Sequence, residues 1–147
     1  MRRLGLLLAL HCVGCDTPKR SDAPGGTLAD AGYAVAVSPG GRFTAAWRPI
    51  GGAVPVNELF QIEVLLFEGR CTGDGTSRPL CGATVQASAW MPEHMHGMNR
   101  RPNAIETEPG RYLVSGMMLH MEGFWQLFLD VTAAQGSERV EFAITLR

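Results

Sequence analysis

The stretch WMPEHMHGM, residues 90–98, sets His94 and His96 two positions apart among Met91, Met95 and Met98. A second cluster, MMLHM at 117–121, adds His120 with Met117, Met118 and Met121. Imidazole nitrogen and thioether sulfur together suit copper, and Cu(I) above all, because it is satisfied by two or three such ligands. Zinc would call for thiolate or carboxylate beside the histidines. Pro92 ends the strand that carries Trp90, and Gly97 can supply the positive φ of a turn, so His94 and His96 are placed on a loop. In extended backbone an x-H-x-H spacing points both imidazoles one way and Met95 the other, with Met98 back in register past the glycine. The expected ligands are therefore His94, His96 and Met98, completed by His120 or Met121 from the end of another strand. Two alternatives stand beside this. Methionine is a flexible core filler, which suits Met91, Met117 and Met121, and the 91–98 loop could instead touch an envelope protein partner without a metal.

The chain offers no other chemistry of comparable density. It contains no G-x-S-x-G elbow, no H-E-x-x-H and no P-loop, and Glu93 beside His94 is a common kind of neighbour. A binding protein, not an enzyme, is expected. Charged residues make up 18% of the chain and the formal net charge is -1, so there is no basic field for nucleic acid.

The N-terminus, MRRLGLLLALHCVGCD, has two arginines, a short apolar run and small residues before Cys15. This is the pattern of an export signal over residues 1–14. The run is well short of the roughly 20 residues that a spanning helix needs. Val13-Gly14-Cys15 resembles the lipobox of bacterial lipoproteins, which implies that Cys15 is lipidated and that a lipid anchor is the only attachment to the membrane. Residues 15–32 mix Pro, Gly, Ser and charges without periodicity and read as a flexible tether. The expected location is the bacterial cell envelope, facing the periplasm or the cell surface. Cys12 and Cys15 also spell C-x-x-C, but no βαβ pattern surrounds them. Cys71 and Cys81 flank CTGDGTSRPLC, and in an oxidising compartment they are expected to bridge, a closure contributing about 3 kcal/mol. Two free thiols joining a metal site are the alternative.

The elements that must position these residues occupy 33–147, one domain on length grounds. Short apolar or alternating runs rich in Val, Ile, Phe and Trp are separated by Gly, Pro and Asn, and no window holds a helical period. Strands are expected at 34–37, 43–48, 60–67, 84–90, 112–121, 124–132 and 140–146, an all-β, immunoglobulin-like β-sandwich of about seven strands. Alternation in the 112–121 strand puts Leu113, Met117, Leu119 and Met121 on one face and Tyr112, Val114, Met118 and His120 on the other. Glu122-Gly123 then turns into a strand whose Trp125, Leu127, Leu129 and Val131 face the core.

The run from Trp47-Arg48-Pro49 through Pro55-Val56-Asn57-Glu58, MPEHMHGMNRRP and GRYLVSGMMLHMEGFWQLFLDV resembles the YtkA-like or FixH-type family of bacterial exported domains. Its most specific parts are the MP-x-H-x-H-G-M loop and the hairpin Met121-Glu122-Gly123-Phe124-Trp125. The resemblance implies an immunoglobulin-like β-sandwich at the cell envelope, some of whose relatives are tied to copper handling or cytochrome oxidase assembly. It carries over His94, His96, Gly97 and Met98 as the loop and Met121, Gly123 and Trp125 as the hairpin. The Cys71–Cys81 insert and the lipoprotein-like start without a spanning helix depart from the FixH pattern, so the soluble, YtkA-like side fits better.

Overall fold

The computed structural model describes residues 27–71 and 77–147. The expected export signal and Cys15 lie outside them. Nine strands run in chain order: β1 (Ala34–Val37), β2 (Phe43–Pro49), β3 (Phe60–Glu68), β4 (Thr84–Met91), β5 (His96–Gly97), β6 (Asn103–Glu108), β7 (Arg111–Met117), β8 (Gly123–Ala133) and β9 (Gly136–Leu146). They form two antiparallel sheets, β1-β2-β3-β7-β6 and β5-β4-β8-β9. Leaving aside β1, these are the A-B-E-D and C′-C-F-G orders of the immunoglobulin sandwich. No helix among the described residues is long and apolar enough to cross a membrane.

Alternation builds the core. β8 buries Trp125, Leu127, Leu129 and Val131 completely, as its sequence predicts. Across the sandwich β3 turns Phe60, Ile62, Val64 and Leu66 inward. Each such side chain contributes on the order of 1.5–3 kcal/mol by leaving water. The outward face of β3 carries Glu63, which accepts hydrogen bonds from Tyr33 Oη and Arg111 and from Arg48 Nε at 3.0 Å. The Arg48 guanidinium also lies 4.5 Å over the Tyr33 ring. Burial pushes the Glu63 carboxyl up, but the hydrogen bonds from Tyr33 and Arg111 and the charges of Arg111 and Arg48 outweigh it, and the net direction is down.

The structure corrects several expectations. β5 and β6 are additional strands. β6, the sequence NAIETE, is a mostly exposed sheet edge, so it has no buried face to give it an apolar alternation, and flanking Pro102 and Pro109 resemble loop punctuation. The strands on either side of Glu122-Gly123 are not paired as a hairpin: β7 ends at Met117, and 118–122 cross from one sheet to the other. The faces of β7 also differ. Tyr112 and Val114 are buried, and so are Met117 and Leu119. A register shift opposite Phe60 and Gln61, together with Gly116 at φ 85°, slips the side-chain phase by one residue.

The Cys71–Cys81 bridge is not formed, and Cys71 is a free thiol whose Sγ accepts from Ser77 Oγ at 2.9 Å. Phe67 pairs antiparallel with Pro79, Glu68 N donates to Arg78 O and Leu80 N to Leu66 O. That register sends Cys81 back along β3 while Cys71 lies beyond its far end. Cys71 is held there by its N–H, which donates to Thr44 Oγ1 at 2.9 Å. Within the expected tether, Thr27 and Asp30 cap a turn through hydrogen bonds of 2.8 and 2.9 Å, and Tyr33 N donates to Leu28 O at 3.0 Å. The end of that segment is therefore a closed turn leading into β1, and Ala31 O accepts from Arg48 Nη1 of β2 at 3.1 Å.

Candidate metal centre

Both soft-ligand clusters lie where a strand of the β4–β8 sheet meets a connection. At the end of β4, Met91 is buried and Pro92–His94 form a single 3-10 turn. Met95 closes this turn with φ 53°, its N–H donating to Pro92 O at 3.3 Å. The chain then returns along β4, pairing Met91 with His96 and Trp90 with Gly97, and Met98 N donates to Ala89 O at 3.1 Å. Directly opposed residues of an antiparallel pair share a face. His96 therefore points to the side on which Met91 is buried, and is itself half-buried.

Two details differ from the sequence reading. The left-handed residue is Met95, while Gly97 serves the close return of the chain along β4, since a Cβ there would lie 3.1 Å from Ala89 O and 3.8 Å from Trp90 Cε3. The backbone between the histidines is a turn, not an extended segment.

His120 lies on the crossing segment and is held from both sides. Before it, Leu119 is buried and forms a parallel bridge with Val56, and Asn57, at φ 59°, donates its N–H to Leu119 O at 2.7 Å. After it, Trp125 Nε1 donates to Met121 O at 3.0 Å. These anchors hold His120 half-buried against His96.

The rings of His96 and His120 stack with centroids 4.8 Å apart and planes 29° from parallel. His94 stands 5.8 Å from His96. Trp125 floors the pair, its ring 5.8 Å from His96 and 5.5 Å from His120. The Nδ1 atoms of both His96 and His120 are buried without a hydrogen-bond partner. An unpaired buried polar atom costs about 1–3 kcal/mol, so two on stacked rings call for an explanation. Close by, Gly123 at φ 117° has Met91 Cε 2.6 Å and Glu93 Oε2 3.9 Å from where a Cβ would sit.

The three histidines singled out in the sequence are thus brought together. Met98 and Met121 are partly buried against the core beside them, while Met91 and Met117 are core residues. Among the described residues no group of three or more His, Cys, Asp or Glu side chains is arranged to hold a metal ion. An ion here would draw on the imidazoles together with thioether sulfur, the donor set that favours Cu(I). Sequence reasoning did not find Trp125 as the floor of the site, since its alternation marks only a core residue. It also passed over Met95, whose left-handed backbone carries no glycine or asparagine to signal it.

Fold and site together define an immunoglobulin-like β-sandwich with a histidine and methionine cluster at the end of its β4–β8 sheet. Residues 70–130, which carry both clusters, match the family described as YtkA-like, in agreement over that segment with the resemblance read from the sequence. A DUF4426 family protein from Pseudomonas aeruginosa PAO1 has a similar solved structure, with a TM-score of 0.55 over 79% of this chain and 95% of that one. At 15% identity the likeness is one of fold. No curated protein matches the chain significantly.

Proposed function

We propose that this is a copper-binding protein of the bacterial envelope that buffers or delivers Cu(I) and carries out no catalysis of its own. The observation that carries the reading is the stacked His96–His120 pair with both Nδ1 atoms buried and unpartnered. A lone pair on a buried imidazole nitrogen is an available ligand, and binding an ion there removes the penalty of leaving it unpaired. His94, Met98 and Met121 are the further ligands, and the low coordination number of Cu(I) suits a set of two imidazoles and a sulfur. Attachment through a lipidated Cys15, with residues 1–14 as the export signal, would hold the domain at a membrane facing the periplasm or the cell surface.

A second reading is favoured by one observation. Met95 on the turn is 80% exposed and Trp90, near the end of β4, is 37% exposed, which also suits a metal-free contact with an envelope protein partner. Cu(I) titration of the protein against a competing chelator separates the two. The copper reading expects uptake of one ion by the native protein and a loss of about a hundredfold or more in affinity in a His96→Ala/His120→Ala variant. No specific uptake by the native protein would favour the interaction module.

A further inference from the structure

We propose that the cluster is a graded path with two stations, resting on the copper reading above: His94 and Met95 capture and release the ion, and His96 with His120 hold it. Exposure falls along this path. Met95 is 80% exposed and His94 is exposed, whereas His96 and His120 are half-buried with their Nδ1 atoms fully covered. The imidazoles follow one another at 5.8 Å and then 4.8 Å between centroids.

Met95 is the residue that neither packing nor backbone preference explains. Its φ of 53° is a conformation that glycine or asparagine adopts at lower cost. An 80% exposed thioether recovers nothing by burial. What the position does present to solvent is a soft sulfur, next in sequence to an exposed imidazole.

Exchange of Cu(I) between ligand sets needs the new bond to form before the old one is lost. An ion on the covered Nδ1 atoms of His96 and His120 lies away from solvent, so an outer pair of ligands serves the handover to an acceptor. Ring nitrogens project beyond the centroids. A modest rotation therefore brings His94 and His96 within the roughly 4 Å that two metal–nitrogen bonds of about 2 Å span. In release, the bond to His96 or His120 breaks as a bond to His94 nitrogen or Met95 sulfur forms. The acceptor's ligand then displaces that outer bond. No electron moves, and the ion remains Cu(I) throughout.

The test is the rate at which the copper-loaded protein gives up its ion to excess bicinchoninate, read by stopped-flow absorbance beside the equilibrium affinity. A Met95→Asn variant removes the sulfur, keeps a residue suited to the left-handed position and leaves the ligand His94 in place. It is expected to retain an affinity within about threefold of the native protein and to exchange about tenfold more slowly. Met95→Leu, which keeps the apolar length and removes the sulfur, is expected to slow exchange in the same direction. An unchanged rate at native affinity in both Met95 variants would overturn the two-station path and leave the copper reading standing. A collapse of affinity would also overturn it, by placing Met95 in the holding set. If the native protein takes up no copper, the copper reading itself fails, and the path with it.

Discussion

His96 stacks on His120 at 4.8 Å, joining a two-residue strand to a crossover between sheets that lies more than twenty residues further along the chain. Trp125 lies under both rings, at 5.8 and 5.5 Å. Cu(I) held by this pair is therefore expected to quench the fluorescence of Trp125, saturating at one equivalent. The same titration of His120→Ala should lose the saturable quench. A quench that persists unchanged would place any bound ion elsewhere.

Gly123 begins β8 and supports the site from beneath. Its φ of 117° is strained for any side chain, and an added Cβ would sit 2.6 Å from Met91 Cε. Gly123→Ala is expected to cost about 1–3 kcal/mol, combining backbone strain with displacement of a buried methionine. Urea unfolding measures it, and a change below about 0.5 kcal/mol would show that the turn relaxes freely.

Glu63 should govern the acid side of stability. Its folded carboxyl lies below the ordinary range, so the stabilisation it contributes is present above the unfolded glutamate pKa and is lost as pH falls through the lowered folded value. Glu63→Gln is expected to cost about 1–2 kcal/mol at neutral pH, moderated by the solvent exposure of Arg48 and Arg111. The difference between native and variant should shrink on acidification. A constant difference down to the lowest pH at which the protein folds would refute this assignment.

The alkaline side belongs to the two tyrosines of the chain. Burial pushes both Tyr33 and Tyr112 up to about 12, reinforced at Tyr33 by its hydrogen bond to Glu63 and opposed at Tyr112 by its hydrogen bond to Ala83. A folded pKa above the unfolded value stabilises below the unfolded pKa and ceases to as pH rises through the folded one. Stability should therefore fall between about pH 10 and 12. Phenolate absorbance is expected to stay flat through pH 10 and to rise together with unfolding. Ionisation near pH 10 in the folded protein would contradict the burial of these rings.

Cys71 provides a check on the fold itself. Its thiol is free and only partly buried. It should alkylate with iodoacetamide in the native protein without reductant, and Cys71→Ser should change stability by less than about 0.5 kcal/mol. Recovery of a peptide joining Cys71 to Cys81 by mass spectrometry would require the 79–81 segment to leave its register on β3.

The period-two pattern of Trp125, Leu127, Leu129 and Val131 is enough to place β8, because a strand with one buried face must write that face at every second residue. The same logic holds for β3 and β4, and it explains why the sandwich is legible in the sequence. Local pattern fails where no face is buried or where the phase slips. β6 is a mostly exposed edge whose two apolar residues, Ala104 and Ile105, fall on opposite faces, and the shift near Gly116 moves Met117 and Leu119 onto the face of Val114. Cys71 and Cys81 look paired by spacing, yet the antiparallel register of Pro79 on Phe67 draws them apart. The meeting of His96 with His120 is of the same kind. It depends on the Met91–His96 pairing, on the Val56–Leu119 bridge and on Trp125 Nε1 reaching Met121 O. Those are contacts between segments distant in the chain, and only packing of the two sheets and their connections brings them into one place.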